Sequence, residues 1–477
     1  MVQGIAVTPF IPLVNGLKQS KLYAKQDRQM EEYIDMMNKY GKIYFTYFLF
    51  IPRLHVYDVD YFEYLFKTNN SCYCRNRMTK YFLGPLTGYD TMLIADDPMH
   101  SKNKKVILPI FHNVNLHSMI SIMIKQTDIL LNEWKNEKMS TTLDTKYITI
   151  QAHEQFSKLT LNIVANCVFG TGLQSIPNAS EIMYNSLNQY FEIARERTLK
   201  LFSWISFIKS LPLFGKPELD RCVSNIHQIA DQIIHDRRQG LTSSTIEKND
   251  LLDLLFSVKD DQGYLFSNDL IKQETLAFIV AGHETSSNLM SWCIYCLVSN
   301  PDAMDDCIKE IDRVLKGELP TAESLKQLHV IDSVLHETLR LYPPAPLSGR
   351  DCLADNEIGH GDKKIKVYKG TSVHWNTYVL HRNPDYWQNP LKFDYTRWKD
   401  SNGERKQLAH PYCYLPFGAG HRSCIGQNFA LLEARIMLTM ILQKFRLELA
   451  PGQKITPHAV VTMKPKYGLL VKVYSRT

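Results

Sequence analysis

Three groups of residues in this chain have types and spacings that can do chemistry. The first is a cysteine fenced by glycines: Pro416 to Gln427 reads PFGAGHRSCIGQ, with Cys424 ahead of the apolar run QNFALLEARIMLTMILQKF. Gly418, Gly420 and Gly426 permit positive φ and let a bulky flat group approach the main chain. A sulfur at a helix N-terminus faces unpaired N–H groups and the positive end of the dipole, which favour the thiolate, and Arg422 adds a cation. Such a thiolate can serve as a nucleophile, a zinc ligand or an axial ligand to haem iron. Zinc wants further ligands, and a nucleophile wants a base and an oxyanion site, neither of which the local sequence announces. Iron held in a porphyrin asks for one protein ligand.

The second group is Ala281-Gly282-His283-Glu284-Thr285, a polar interruption in the otherwise apolar stretch LIKQETLAFIVAGHETSSNLMSWCIYCLVSN. A threonine hydroxyl there can bond back to the i−4 carbonyl, distort the helix and leave room for a water, and the adjacent acid can relay protons. A packing glycine beside a solvated acid is the plainer alternative. The third group is Glu337 and Arg340 in HETLRLYPPAP, an i,i+3 pair with Val334, Leu335 and Leu339 around it. On a surface such a pair contributes ~0.2–0.5 kcal/mol. Buried, the loss of one partner costs about 3–5 kcal/mol.

Helical periodicity supplies most of the elements that must position these groups. It predicts helices at about 27–39, 98–112, 116–137, 149–168, 179–197, 217–239, 268–299, 302–316, 329–341 and 427–445. The longest opens after Ser267, a plausible N-cap, and stops at Asn300-Pro301, spanning a rod of roughly 45 Å. Its apolar character on most faces suits the centre of a large protein. Strands are expected in two places, within KIYFTYFLFIPRLHVYD and between about 346 and 375.

Composition narrows the function classes. The 477 residues are 44% hydrophobic and 22% charged, which excludes disorder and collagen. A formal charge of +6 without blocks of like charge gives no reason to expect nucleic acid as a partner. Ten scattered cysteines lack the spacing of a small secreted scaffold, and Cys293-x-x-Cys296 falls inside an apolar helical run, which favours core packing over a metal site. No stretch reaches the ~20 apolar residues needed to cross a bilayer.

Phe417, Gly418, Gly420, Arg422, Cys424 and Gly426 fill every fixed position of F-G-x-G-x-R-x-C-x-G, and the loop resembles the haem-binding loop of the cytochrome P450 family. Ala281 to Thr285 is similar to that family's A-G-x-(D/E)-T motif. Glu337, Arg340 and Arg397, the last in FDYTRW, match its E-x-x-R helix and the third member of that ion-pair network. The resemblance spans essentially the whole chain. It implies a single catalytic domain over 1–477, mainly α with small β-sheets, with haem b between the long central helix and the cysteine-loop helix.

By the same resemblance Cys424 is the iron ligand, while Thr285 and Glu284 manage protons beside Ala281. Arg422, Arg350, His100 and Lys104 meet the haem propionates, with Lys105 as a substitute for Lys104. The ion-pair network serves folding of the haem-side surface. The implied reaction inserts one oxygen atom from O2 into an apolar organic substrate such as a lipid, steroid or foreign compound. Electrons would come from an NADPH-dependent flavoprotein reductase, with cytochrome b5 as a further partner. The cavity is expected near Phe278, Ala281, Pro346, Leu347 and Ser348.

The opening VQGIAVTPFIPLVNGL looks like the hinge after a membrane anchor, the anchor itself being absent from the sequence given. Leu201 to Phe214 falls where the family has a loop that touches the bilayer. The resemblance thus points to the cytoplasmic face of the endoplasmic reticulum and to peripheral membrane contact. The alternatives are a haem-thiolate isomerase, dehydratase or peroxide-driven enzyme; a non-enzymatic haem sensor; and a cofactor-free cysteine nucleophile.

Overall fold

The structure is a computed structural model that describes residues 3–9, 15–48, 51–111, 113–140, 147–199, 211–244, 250–259, 263–399, 404–459 and 461–476. Its axis is the central helix Asn268–Val298, whose first turn is capped by Ser267 Oγ accepting from the Leu270 N–H, and which ends ahead of Pro301. The helix is buried along most of its length because its residues are apolar on nearly every face. It packs closely against helix Ala152–Phe169, and Gly282 permits that approach: a Cβ there would sit 3.1 Å from Val164 Cγ2. Two polar bonds fix the register of this crossing. Thr160 Oγ1 donates to the His283 carbonyl at 2.9 Å, and Ser157 Oγ lies 2.9 Å from His283 Nε2.

The helix Gln427–Lys444 follows the cysteine loop and packs in the same core as helices Pro301–Leu315 and His329–Leu341. All ten predicted helices are present, with boundaries mostly within one to three residues; the 98–112 stretch divides into helix Met99–Ile107 and a 3₁₀ turn at Leu108–Phe111. Strands from the two regions expected from sequence join in one sheet, while Asn356–Ile358 and Ile365–Val367 pair as a separate hairpin. Hairpin strands Ile43–Phe48 and Ile51–Val56 continue in parallel to Ser372–Asn376, which pairs antiparallel with Leu347–Cys352 and then Tyr73–Arg75. Ala6–Val7 closes the other edge.

Sequence periodicity missed the short elements. Helix Arg77–Thr87 carries Gly84 and Pro85 inside it, which weakens the helical signal. Strands Tyr147–Gln151, Phe445–Leu449 and Leu470–Ser475 form a sheet whose partners lie far apart in the chain.

Cys293 and Cys296 are free, buried side chains in the core, and burial pushes the Cys293 thiol up to about 12. Most of the expected bilayer-contact loop, residues 201–210, lies outside the described residues, as does the 10–14 part of the expected hinge. No single helix among the described residues is long and apolar enough to cross a membrane.

The Glu337–Arg340 pair is fully buried. Arg340 places Nε 2.9 Å and Nη2 2.8 Å from the two carboxylate oxygens of Glu337 and spends its remaining donors on the carbonyls of His381, Pro390 and Lys392. Glu337 also accepts from Arg397 Nε at 3.1 Å and from Trp398 Nε1 at 3.0 Å. The network joins a helix to the segment that leads into the cysteine loop, so its satisfaction fixes one wall of the space described next.

Candidate active site

A cavity of about 400 Å³ separates the central helix from the cysteine loop. Ala281, Glu284 and Thr285 line one side; Phe417, Gly418, Arg422, Cys424 and Gly426 line the other, with Arg350, His100 and Lys104 also on its wall. Ala281, midway along a buried helix, is exposed because it faces this space. Phe278 and Ser348 line it as expected from sequence, whereas Pro346 and Leu347 do not, Pro344 and Ala345 taking their place.

Of the six fixed positions of the cysteine loop, Gly420 alone lies off the cavity wall. Its φ is +69°, and an added Cβ would come within 2.3 Å of the Phe66 carbonyl oxygen, so this glycine lets the loop close on the neighbouring backbone. Gly418, with φ +68°, has open space where a Cβ would be. Gly426 departs from the positive-φ expectation. At φ −81° it is the N-cap residue of helix Gln427–Lys444, and its backbone N–H is turned to the Cys424 sulfur.

Cys424 opens onto the cavity yet sits deep in the protein. Burial therefore pushes its thiol up, against the pull of the Gly426 N–H and the Lys104 ammonium. The sequence points to the helix terminus and Arg422 as influences that favour the thiolate. In the structure desolvation dominates and Lys104 is the cation that acts on the sulfur, because Arg422 turns away to donate to the Ala95 carbonyl at 2.8 Å. Lys104 Nζ donates to the His421 carbonyl, and Lys105 is exposed and off the cavity wall.

Thr285 Oγ1 donates to the Ala281 carbonyl at 2.6 Å, as its position predicts. The helix nevertheless runs on without a π or 3₁₀ break, since a carbonyl oxygen has a second lone pair and can accept the hydroxyl without giving up its backbone N–H. Burial raises the Glu284 carboxyl above the usual range, with Lys464 and a Thr462 hydrogen bond pulling it back. Glu284, Phe191, Val461 and Thr462 also wall a second space of about 20 Å³, which is room for about one water. Its far side is Lys464 with Glu192, 3.5 Å apart.

The cytochrome P450 family profile matches residues 7–472. This chain belongs to the cytochrome P450 family. It is 29% identical to human cytochrome P450 4X1 over 458 residues, covering 93% of this chain and 86% of that one. It is 30% identical to rat cytochrome P450 4X1, covering 87% and 80%. A human protein named ultra-long-chain fatty acid omega-hydroxylase is 27% identical, covering 89% and 79%. The fold matches the crystal structure of the cytochrome P450DA heme domain with a TM-score of 0.81 at 24% identity, over 99% of this chain and 98% of that one. As a P450 it is a monooxygenase, an oxidoreductase of a family that uses haem iron, dioxygen, a redox partner and hydrophobic substrates.

The residues present fit that cofactor, and one of them escaped the sequence reading. Arg75 stands directly opposite Arg350 in the ladder between Tyr73–Arg75 and Leu347–Cys352, and both line the cavity. Like charges facing each other across strands are destabilising. Arg75 Nε and Arg422 Nη2 are buried without a hydrogen-bond partner. Burial, then the charge of Arg422, lowers Arg75 to about 10, and burial with Arg75 and Arg422 lowers Arg350. Three crowded cations with unspent donors suit the two propionates of a P450 haem.

Replacing Arg75 with leucine is therefore expected to accelerate haem loss to an apo-globin scavenger by about 10- to 100-fold, the equivalent of one hydrogen bond to a charged group. Lys105→Ala is expected to leave the rate unchanged.

Proposed function

We propose that this P450 hydroxylates a long-chain lipid, in the class named by its relative the ultra-long-chain fatty acid omega-hydroxylase. Electrons would arrive one at a time from an NADPH-dependent flavoprotein reductase, with cytochrome b5 as a second donor, at the cytoplasmic face of the endoplasmic reticulum. The observation that carries the reading is the cavity itself, a space of about 400 Å³ with Cys424 on one wall, Ala281 and Thr285 on the other, and apolar side chains such as Leu83, Met92, Phe111 and Phe278 around it. Bound haem b would supply the activation of dioxygen, one atom entering the substrate and the other leaving as water.

The chain's own residues would do the rest. Cys424 would hold the haem iron through its Sγ as a thiolate, the charge of the metal offsetting the burial that otherwise favours the thiol. Arg75, Arg350, Arg422, His100 and Lys104 would orient the cofactor through its propionates. Thr285 Oγ1, anchored on the Ala281 carbonyl, would hold a proton at the cavity wall. Glu284, raised by burial, would pass protons inward from the small space beside Lys464. The apolar lining would exclude bulk water from the substrate chain.

Turnover of saturated fatty acids of graded length under ¹⁸O₂, with purified reductase and NADPH, tests this reading. One labelled oxygen atom per hydroxylated product is expected. Product that carries no label from O2 would point to isomerase or dehydratase chemistry instead. Turnover of steroids but of no fatty acid would remove the lipid-chain assignment.

A further inference from the structure

Where helix Met99–Ile107 meets the cysteine loop, at His100 on the cavity wall, three ligand atoms converge. Asp97 Oδ1 lies 3.6 Å from His100 Nδ1 and 3.4 Å from His421 Nε2, and the two imidazole nitrogens are 3.2 Å apart. Among the described residues no other set of three His, Cys, Asp or Glu side chains converges this closely. A tetrahedral zinc ion with bonds of about 2.0–2.1 Å separates its ligand atoms by about 3.3–3.4 Å, so the triangle already has the size of one face of such a site. We propose that Asp97, His100 and His421 bind Zn²⁺, with water completing the coordination.

The donor set selects the ion class. Two imidazoles and one carboxylate suit a borderline cation such as zinc and are poor ligands for calcium or magnesium, which take oxygen. His100 is buried, with Nδ1 turned toward the other two ligand atoms. Ser101 Oγ donates to Asp97 Oδ1, a contact that orients that carboxylate. Access is open, because the Asp97 and His421 side chains are 38% and 35% exposed. Arg422 opposes a dication from 3.9 Å away from both Asp96 and Asp97, and those two carboxylates offset it. Bound metal would clamp the helix that carries His100 and Lys104 to the loop that carries Cys424, tying together two walls of the cavity.

The test is calorimetric titration of the chelator-treated, haem-loaded protein with Zn²⁺ alone, alongside the variants His421→Gln and Asp97→Asn. One ion per chain is expected for the parent protein. Each variant should weaken binding by about 100-fold, and zinc K-edge absorption should show two imidazole ligands. Equal affinity in parent and variants, a sulfur-containing coordination shell, or no saturable binding would each overturn the site. None of these readouts depends on turnover.

Discussion

Arg340→Ala is expected to lower the thermal midpoint by about 3–5 °C and to cut sharply the yield of haem-containing protein. Breaking a buried pair leaves an uncompensated group and costs about 3–5 kcal/mol. Glu337 would keep Arg397 and Trp398 as partners, but the carbonyls of His381, Pro390 and Lys392 would each lose a donor. Unfolding entropy of about 2.1 cal/mol/K per residue makes roughly 1 kcal/mol/K for a chain of this size, which converts the loss into the expected shift. Set against a total stability of about 5–15 kcal/mol, it is a large fraction. The exposed pair Lys309–Asp306, also i,i+3, is the contrast: Lys309→Ala should leave the midpoint where it was. Differential scanning calorimetry with haem absorbance separates the two outcomes. Equal shifts in both variants would mean that burial is not what gives the Glu337–Arg340 pair its importance.

Thr285→Ala should leave haem content unchanged and uncouple electron consumption from product. The methyl replacement keeps the helix, because the lost bond from Oγ1 to the Ala281 carbonyl is additional to the backbone ladder. What disappears is the hydroxyl that, on the proposed function, would hold a proton at the cavity wall. Positioned proton transfer contributes about 10²–10⁴-fold, so product per electron pair should fall by about 10-fold or more, with peroxide released in its place. Thr285→Ser keeps the hydroxyl and should restore coupling. Measured product, peroxide and NADPH consumption decide it, and full coupling in the alanine variant would remove Thr285 from proton delivery.

The site features that sequence conveyed best are local ones. Cys424 with its glycines, the run from Ala281 to Thr285 and the i,i+3 spacing of Glu337 and Arg340 each sit within a dozen residues, so composition and period reach them. Arg75 was not legible, since CYCRNR offers two arginines and only the pairing of Tyr73–Arg75 with Leu347–Cys352 puts one of them opposite Arg350. Gly420 shows a related limit. Its spacing marks the loop, but the atom it avoids is the Phe66 carbonyl, from a segment remote in sequence. The helix terminus beside Cys424 is visible in sequence, while the desolvation that pushes its thiol up depends on the whole surrounding fold. The three-stranded sheet of Tyr147–Gln151, Phe445–Leu449 and Leu470–Ser475 likewise exists only through long-range pairing.

Carbon monoxide binding to the dithionite-reduced protein probes the sulfur ligand most directly, read beside Cys424→His. The parent protein should give the strongly red-shifted Soret band of thiolate ligation, and the variant should lose that band for the shorter-wavelength imidazole type. An imidazole-type spectrum in the parent, or an unchanged thiolate spectrum after Cys424 is replaced, would contradict the assignment of Cys424 to the iron.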